Sequence, residues 1–452
     1  MSITRERRQI HVEPDPSPVG PPDTRSLDAG AGGRAVAEVM RPLVRVLLGS
    51  QPRIRVEFWD GSGLGPENSP ARLVVRSSDA LRRVLWAPGE LGLSRAYVAG
   101  DIDVEGDVMA LVAAMRDGTD DLQYGPRLAV AALRGARRVG ALGWPVAPPP
   151  EEARPRGRRH SRRRDASVVG HHYDVGNDFY GIVLGPTLTY SCALYASAGM
   201  SLAEAQDTKH EGICRKLGLH EQTGRRLLDV GCGWGSMAIH AAQHHQARVV
   251  GITISREQAQ GARRRVQDAG LSHLIDIRLQ DYRELVGEQF DAISSVGMFE
   301  HVGAARTREY FATLRSLLRH QGRLLNHAIS SVNGSSLGRR SFMYRYVFPD
   351  GELADCGDVV LAMERAGLEV RDVESLREHY AQTLRHWVAN LEGEWDRAVA
   401  LAGPARARIW RLYMAASAIG FERGSIGVHQ VLGVVPDDRG NSGMPRTRAG
   451  WA

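Results

Sequence analysis

Short apolar runs alternate with amphipathic segments through the second half of the chain. The runs at 227–230 and 248–254 are largely apolar and are bounded by polar residues or glycine. Such runs are typical of strands buried on both faces of a parallel sheet. Further strands are predicted at 275–279 and from 290, and the residues at 236–243 follow a helical period. This alternation of strands and helices predicts an α/β fold.

The same hydrophobic periods predict secondary structure on both sides of this region. Helices are predicted at 35–48, 78–85, 108–115, 201–217, 310–318, 358–366, 380–391 and 405–419, and strands at 54–59, 71–75, 322–329 and 368–375.

The chain has 452 residues, which is long enough for two domains with additional segments. Composition changes along the chain indicate where these parts begin and end. We predict a disordered Pro/Gly/Asp-rich tail at 1–33, a small α+β domain at 34–144, a Pro/Arg-rich linker at 145–166, a catalytic domain at 167–432 and a C-terminal tail at 433–452 that looks frayed from 436 onward.

Composition narrows the classes of partner. The formal net charge is +6, and Lys209 and Lys216 are the only lysines, so arginine supplies nearly all of the positive charge. This balance suits an acidic partner, either nucleic acid or anionic lipid. Seven arginines lie in 154–164, and this part of the linker is either merely solvated or an electrostatic tether to anionic phospholipid. Both interpretations stay open.

Targeting and metal signals are weak in this sequence. There is no run of about 18 apolar residues, and the N-terminus lacks the apolar segment of a signal peptide. The four cysteines are scattered without CxxC spacing, which favours reduced thiols over disulfides or a zinc site. We therefore expect no metal and a cytoplasmic protein.

A glycine-rich loop follows the strand at 227–230. It reads Asp229-Val-Gly231-Cys-Gly233-Trp-Gly235, and glycine there lets the backbone turn sharply and lets a ligand approach closely. A strand, loop and helix in this order bind nucleotide-like ligands at the carboxyl ends of the strands. The rival interpretation is a dinucleotide-binding loop, but the sequence is not G-x-G-x-x-G and no Lys-Ser/Thr follows it to hold phosphates.

Two later strand ends distinguish these possibilities. The third strand is followed by Gln280-Asp281-Tyr282, and the fourth begins Phe290-Asp291. Together with the loop that opens on Asp229, this series resembles the class I S-adenosylmethionine (SAM) methyltransferases. That resemblance implies a Rossmann-like domain with a seven-stranded, mostly parallel sheet, here preceded by the small α+β domain.

Several motifs point to one family within that class. They are HYDVGNDFY at 172–180, YSCA at 190–193, VGCGWG at 230–235, GITISREQ at 251–258, GMFEHVG at 297–303, YVFPDG at 346–351 and HY at 379–380. Over about 170–432 the chain resembles the cyclopropane-fatty-acyl-phospholipid synthase family, which includes the mycolic-acid cyclopropane synthases. The front domain is similar to that of the longer, phospholipid-acting members.

The resemblance implies a specific reaction. The π electrons of a cis alkene in a phospholipid acyl chain attack the SAM methyl group, and loss of a proton from the resulting carbocation closes a cyclopropane ring. Family members hold a bicarbonate ion as the base. The matching positions are Glu300, Cys192, His327 and Tyr380, with the backbone carbonyl of Ser417, where relatives usually have Cys.

The resemblance also implies a set of cofactor-binding residues. Tyr190 and Ser191 would meet the methionine end, and Asp281 and Tyr282 would flank the adenine. The remaining positions belong to the first two strand ends: Asp229, Gly231, Gly233, Thr253 and Gln258. Aromatic residues at 344, 346, 348 and 387 are candidates to line an acyl tunnel and face the cation, or ordinary core residues.

Several alternatives remain open at this point. The cation can lose its proton elsewhere and give a methylene- or methyl-branched chain instead of a cyclopropane. More distant alternatives are an RNA or small-molecule methyltransferase, or a non-catalytic binding module. The expected partners are unsaturated phospholipid acyl chains on the inner face of an anionic membrane, with a homodimer left open and no specific nucleic acid expected.

Overall fold

Two β-sheets organise the chain. The computed structural model describes residues 35–49, 52–119, 126–154, 176–334 and 338–451. The predicted disordered tail at 1–33 and all but one of the linker arginines lie outside the described residues, so those predictions stay predictions.

The first sheet belongs to the N-terminal region. Its strands are β1 (Arg55–Phe58), β2 (Gly63–Leu64), β3 (Ala71–Val75) and β4 (Ile102–Gly106), in the order β2-β1-β3-β4. The accompanying helices are α1 (Val36–Leu48), α2 (Ser78–Trp86), α3 (Glu90–Ala99), α4 (Val108–Thr119) and α5 (Pro126–Arg138).

Helix α3 was not predicted from the sequence, for a physical reason. Its buried residues include Leu91, Ser94, Ala96, Tyr97 and Val98, so consecutive positions face the interior. A helix covered on most of its circumference has no polar stripe, and the 3.6-residue period on which prediction depends is lost.

The second sheet forms the catalytic domain. Its strands are β5 (Arg226–Val230), β6 (Arg248–Thr253), β7 (Ile275–Leu279), β8 (Phe290–Val296), β9 (Leu318–Ser331), β10 (Ala354–Asp355), β11 (Glu369–Ser375) and β12 (Ile426–Val434). Seven of them follow the order β11-β12-β9-β8-β5-β6-β7, and β10 pairs with β9. Strands β5 to β9 are mutually parallel, whereas β12 is antiparallel to β9 and β11. The predicted class I methyltransferase fold is confirmed.

Helices cover both faces of this sheet. They are α6 (Asn177–Leu184), α7 (Leu202–Lys216), α8 (Ser236–His245), α9 (Arg256–Asp268), α10 (Thr307–Ser316), α11 (Cys356–Arg365), α12 (Arg377–Gly393), α13 (Trp395–Ala402) and α14 (Pro404–Glu422). Helix α7 begins with a capping box, in which Ser201 and Glu204 satisfy each other's backbone N–H groups.

The expectation of a frayed C-terminal tail is wrong. Residues from 436 onward are not frayed: Trp451 is buried, Arg448 pairs with Asp372 at 2.7 Å, and the Gly443 carbonyl accepts from Arg323 at 3.2 Å. The first part of the linker is also packed, because Glu152 is buried in an ion pair with Arg95. A buried tryptophan and paired charges hold segments whose Pro/Gly composition suggested loops.

The two sheets are joined through a continuous hydrophobic core that includes residues of α1, α4, α12 and α14. Arg411 of α14 reaches across this junction. It donates to the carbonyls of Val104 at 2.8 Å and Gly106 at 3.1 Å, while its Nε donates to Glu392 at 2.6 Å. One guanidinium therefore ties the end of β4 to two helices of the catalytic domain.

We expect Arg411→Met to lower the free energy of unfolding by about 2–4 kcal/mol, because it removes charge-assisted hydrogen bonds from a largely buried group. Thermal and denaturant unfolding measure the loss. Arg397→Met is the matched control, since Arg397 is exposed and lies 3.7 Å from Glu394. Equal stability of the two variants would contradict the role given to Arg411.

Candidate active site

The glycine loop between β5 and α8 has the backbone geometry that its sequence predicts. Gly231, Gly233 and Gly235 have φ values of +76°, +54° and +80°, a region that residues with a Cβ rarely adopt. A Cβ on Gly231 would lie 3.1 Å from the Met298 side chain, whereas a Cβ on Gly233 would meet nothing within 4 Å. The loop thus leaves open space directly beside Gly233.

That space is a cavity of about 170 Å³ at the carboxyl ends of β5, β6, β7 and β8. It lies where ligands bind in doubly wound sheets. All nine predicted cofactor-binding residues line it: Tyr190, Ser191, Asp229, Gly231, Gly233, Thr253, Gln258, Asp281 and Tyr282. The structure brings these residues together, and their individual roles towards SAM stay predictions.

One end of the cavity carries buried charges of both signs. Lys209 of α7 donates to the Ser191 hydroxyl at 2.9 Å. The Asp229 Oδ1 atom accepts from Ser294 at 2.7 Å, while its Oδ2 atom is buried and accepts no hydrogen bond from any described residue. Burial lowers the pKa of Lys209 to about 7 and raises the pKa of Asp229 to about 6. Both charges are costly here unless a ligand compensates them.

The other end of the cavity carries neutral and paired polar groups. Thr253 donates to the Gln258 side-chain oxygen at 2.8 Å, which turns the Gln258 amide nitrogen away from the threonine. The carboxylate of Asp281 accepts from the Arg283 side chain at 2.8 and 2.5 Å. An adenine amino group at Asp281 would therefore share this carboxylate with Arg283, a partner that the sequence did not indicate.

The five predicted catalytic residues do not line this cavity. Glu300 follows β8 and its Oε1 atom accepts from the Ile329 backbone N–H at 2.8 Å, which places it beside β9 two residues after His327. The Glu300 Oε2 and His327 Nε2 atoms are both buried without a hydrogen-bond partner in the described part of the chain. Burial raises the pKa of Glu300 to about 7 and lowers that of His327 to about 3.

A hydrogen-bond chain fixes the state of His327. Lys216 donates to the Gln430 side-chain oxygen at 2.9 Å, so the Gln430 amide nitrogen faces the Nδ1 atom of His327 at 3.2 Å. Because an amide nitrogen only donates, Nδ1 is the acceptor and the proton of the neutral ring is on Nε2. The unpartnered Nε2 atom is therefore a donor, whereas the unpartnered Glu300 Oε2 atom only accepts when that group is ionised.

Two further predicted catalytic residues, Cys192 and Tyr380, meet at the start of α12. The Cys192 thiol lies 3.6 Å from the carbonyl of Leu376, the residue before α12. Tyr380, one turn into α12, packs against Phe421 with ring centroids 4.7 Å apart. Burial raises the pKa of the Cys192 thiol well above its usual range, so it is a neutral donor rather than a nucleophile.

Ser417 lies inside α14, on the face between Tyr413 and Phe421. Its carbonyl belongs to the helical hydrogen-bond ladder, which leaves its second lone pair for another donor. The carbonyl can therefore accept a hydrogen bond from bicarbonate, as predicted, only through that second lone pair.

Aromatic rings form a cluster between the cavity and these residues. The Tyr190 ring lies 5.3 Å from Trp387 and 5.6 Å from Trp410, and its hydroxyl donates to Tyr413 at 3.1 Å. Phe348 packs on Tyr413 at 5.5 Å. We call Tyr190, Phe348, Trp387, Trp410 and Tyr413 the aromatic cluster.

Two of the four aromatics considered for the acyl tunnel lie elsewhere. The Tyr344 hydroxyl donates to Asp350, and the Tyr346 hydroxyl donates to Glu152, each at 3.4 Å. Phe348 and Trp387 belong to the aromatic cluster. These two residues therefore remain candidates to line the acyl tunnel, whereas Tyr344 and Tyr346 lie outside the cluster.

Sequence reasoning missed Lys209, Gln430, Trp410 and Tyr413. Lys209 lies on a helix where a lysine normally faces solvent, and its burial depends on α7 packing beside the loop at 190–193. The scarcity of lysine is a sequence signal that could have identified Lys209, since both lysines of this chain, Lys209 and Lys216, contact residues of the site.

Comparisons with known proteins agree with this geometry. The family model for mycolic acid cyclopropane synthetase matches residues 160–431. A "Probable fatty acid methyltransferase" of Mycobacterium tuberculosis is 42% identical over 92% of this chain and 98% of its own length. The cyclopropane-fatty-acyl-phospholipid synthase of Escherichia coli is 32% identical over 84% of this chain and 92% of its own length.

A solved structure extends the match to the fold. The crystal structure of a mycolic acid cyclopropane synthase complexed with SAH and CTAB is 33% identical, with a TM-score of 0.56, over 59% of this chain and 97% of that chain. These matches confirm the resemblance that the motifs indicate. The chain therefore belongs to the mycolic acid cyclopropane synthetase family of SAM-dependent methyltransferases.

Proposed function

We propose that this enzyme transfers a methyl group from SAM to the cis double bond of an unsaturated phospholipid acyl chain and closes a cyclopropane ring, with bicarbonate as the base. The observation that carries the proposal is the burial of two polar atoms, Glu300 Oε2 and His327 Nε2, that have no hydrogen-bond partner among the described residues. Glu300 follows β8, whose end lines the cofactor-sized cavity, and His327 lies on the neighbouring strand β9.

The cavity residues fit SAM. Its sulfonium supplies an electrophilic methyl group, and the chain must orient the methionine end and exclude water. Lys209 and Ser191 fit the α-carboxylate, and the buried Asp229 Oδ2 atom fits the α-amino group, because each then gains a partner of opposite charge or donor type. Glycine at 233 leaves room for the cofactor to lie against the backbone.

An alkene has no proton whose removal would activate it, so the protein accelerates the reaction by alignment and by stabilising positive charge. The faces of the aromatic cluster attract a cation by about 0.5–2 kcal/mol each. Trp387 packs on Tyr190 and Phe348 packs on Tyr413, and the two rings come from different elements, α12 and the end of the turn at 343–347. A carbocation among these rings is shielded from water as well as stabilised.

The residues around Glu300 fit a bicarbonate ion, which would supply the base for the methyl proton. His327 Nε2–H and the Cys192 thiol are neutral donors for its oxygens, and Tyr380 lies on the adjoining helix. Glu300 Oε2 accepts the O–H of the ion. With its pKa raised to about 7 by burial, Glu300 can hold the proton briefly and release it at neutral pH.

A methyl- or methylene-branched product is the second candidate. The M. tuberculosis relative is named for fatty acid methyl transfer without a stated product, and the same cation gives a branched chain if the proton leaves from another carbon. Mass spectrometry of lipids from a host that expresses the chain distinguishes a ring from a branch.

An exposed apolar patch supports a membrane as the source of the acyl chain. Trp144 is 87% exposed and Trp86 is 56% exposed, and the Trp86 indole donates to the carbonyl of Gly143 at 3.0 Å. Leu142 flanks the same glycine, and exposed Leu133 lies on α5. We call Trp86, Leu133, Leu142 and Trp144 the tryptophan patch.

Basic residues accompany this patch, since Arg134, Arg137 and Arg138 of α5 are exposed. Tryptophan and arginine together suit the headgroup region of an anionic bilayer. No described helix combines the length and apolar character needed to cross a bilayer. We therefore propose peripheral contact through the tryptophan patch, with the arginine-rich linker as a further tether.

Cofactor recognition gives the first test. Lys209→Met should weaken SAM binding roughly 10–100-fold, because a hydrogen bond to a charged group is worth about 1.5–3 kcal/mol. Decarboxylated SAM should bind the wild type and the variant equally, since it lacks the group that Lys209 contacts. Calorimetry with both ligands separates the effects, and equal weakening for both would show general damage to the cavity instead.

The base gives the second test. Glu300→Gln should lower turnover by roughly 10²–10⁴ with SAM affinity changed less than about tenfold. Wild-type turnover should fall as pH drops below about 7, because protonation removes the acceptor, and the variant should lack this dependence. Depletion of carbonate should slow only the wild type.

Glu352→Gln is the matched control for the base, because Glu352 is a neighbouring carboxylate that accepts from the Ala304 backbone at 2.9 Å. It should keep the wild-type pH profile. Normal turnover in Glu300→Gln, or a wild type indifferent to carbonate, would show that the proton leaves by another route while leaving methyl transfer intact.

Membrane contact gives the third test. Replacing Leu142 and Trp144 with Gln should reduce co-sedimentation with vesicles of unsaturated phosphatidylglycerol by at least about tenfold, since burial of a large apolar side chain is worth about 1.5–3 kcal/mol. Val286→Gln is the control, because Val286 is 83% exposed outside the patch. Unchanged vesicle binding by the double variant would remove the tryptophan patch from the proposal.

A further inference from the structure

A cluster of metal-ligating side chains lies between helices α7 and α8, beside the cofactor cavity. Donor atoms of Cys214, His240 and His245 lie within 4.8 Å of one another. None of the three has a part in the methyl transfer described above. From this convergence we infer that Cys214, His240 and His245 form a site for a divalent metal ion of the zinc type.

The positions on the two helices explain the convergence. Cys214 lies on the face of α7 that packs on α8, and it is fully buried. His240 and His245 are on α8 with side chains about one-tenth exposed. A thiol and two imidazoles are the donor set that zinc takes in many protein sites.

Glu211 orients both imidazoles. Its Oε2 atom lies 3.3 Å from Nε2 of His240 and 2.8 Å from Nε2 of His245. Because an ionised carboxylate only accepts, both Nε2 atoms carry the protons in the metal-free protein, and the free lone pair of each ring is on Nδ1. Carboxylate–histidine–metal arrangements of this kind fix the ring tautomer and raise the basicity of the ligand.

The charges also balance for such an ion. Metal binding displaces the Cys214 thiol proton to solvent and leaves a thiolate. The thiolate and the Glu211 carboxylate then neutralise a dication, and water completes the coordination. Glu211 is 41% exposed at the side-chain level, so an ion can enter and leave from this side.

Donor atoms that lie within 4.8 Å of one another must approach further to form a tetrahedral site. Bonds of about 2.0–2.3 Å hold the donors roughly 3.3–3.7 Å apart, a contraction that side-chain rotation can supply. Such an ion would clamp α7, which carries Lys209, to α8, which follows the glycine loop. A second group, Asp207, His210 and His240, competes for the same histidine. It lacks a thiol, and its aspartate is exposed.

No sequence pattern indicates this site, because its ligands come from two helices without CxxC spacing. In the sequence, Cys214, His240 and His245 each lie three to seven residues from a residue that lines the cofactor cavity. The packing of α7 on α8 brings the three ligands together. The expectation of no metal rests on sequence spacing alone.

Cobalt titration of the full-length protein tests the inference. After treatment with a chelator, the protein should bind one equivalent of Co²⁺, with a thiolate-to-cobalt charge-transfer absorption that one equivalent of Zn²⁺ abolishes. Cys214→Ser should remove this absorption. His245→Gln should weaken Co²⁺ binding at least about 100-fold, and Glu211→Gln about 10–100-fold, the usual scale for an orienting partner.

Matched controls use groups outside the site. His273→Gln changes an exposed histidine after α9 and Cys356→Ser removes a thiol elsewhere, and both variants should bind Co²⁺ like the wild type. His245 is partly exposed, so we expect the His245→Gln variant to fold. Its circular dichroism spectrum is the reference that shows whether the Cys214→Ser variant, which changes a buried residue, is also folded.

Absence of saturable Co²⁺ binding, or binding unaffected by Cys214→Ser and His245→Gln, overturns the inference. Loss of binding in Asp207→Asn but not in His245→Gln assigns the ion to the competing group and likewise overturns it.

Discussion

Buried hydrogen-bonding groups at the carboxyl edge of the large sheet outnumber the partners that the described chain gives them. Asp229 Oδ2, Glu300 Oε2 and His327 Nε2 are buried and unpartnered among the described residues. Each such group lowers the free energy of unfolding by about 1–3 kcal/mol. Their concentration at one edge therefore destabilises the ligand-free protein, and a ligand that pairs with them restores the stability. The fold tolerates this destabilisation because the strands beneath are almost continuously buried.

The state of this edge depends on residues far along the chain. Strand β12 comes last and runs antiparallel to β9, which places Gln430 opposite His327. Lys216, at the end of α7, fixes the orientation of the Gln430 amide and is itself 3.1 Å from buried Asp372 on β11. Strands β11 and β12 thus do more than extend the sheet, because they determine which nitrogen of His327 can donate into the site.

The sequence predicted the strand ends well and the lateral contacts poorly, for a consistent reason. Asp229, Thr253 and Asp281 each follow an apolar run, and parallel strands bring such ends to one edge whatever their spacing. Lys209 and Cys214 lie on a helix, and their surroundings depend on which neighbouring elements pack against it. Buried Trp451 illustrates the same limit, since its Pro/Gly-rich segment looks frayed until the sheet supplies a surface for it.

The N-terminal region is connected to the site by charged groups as well as by core packing. Glu152 accepts from Arg95 of α3 at 2.7 and 2.8 Å and lies 3.6 Å from Arg345. Burial alone would raise the pKa of Glu152, and the hydrogen bonds from Arg95 hold it below its usual value. Arg345 belongs to a π-helical turn, a rare conformation that is frequent at functional sites. That turn leads directly into Phe348 of the aromatic cluster, so the ion pairs of Glu152 connect α3 of the N-terminal region to the segment that carries this ring.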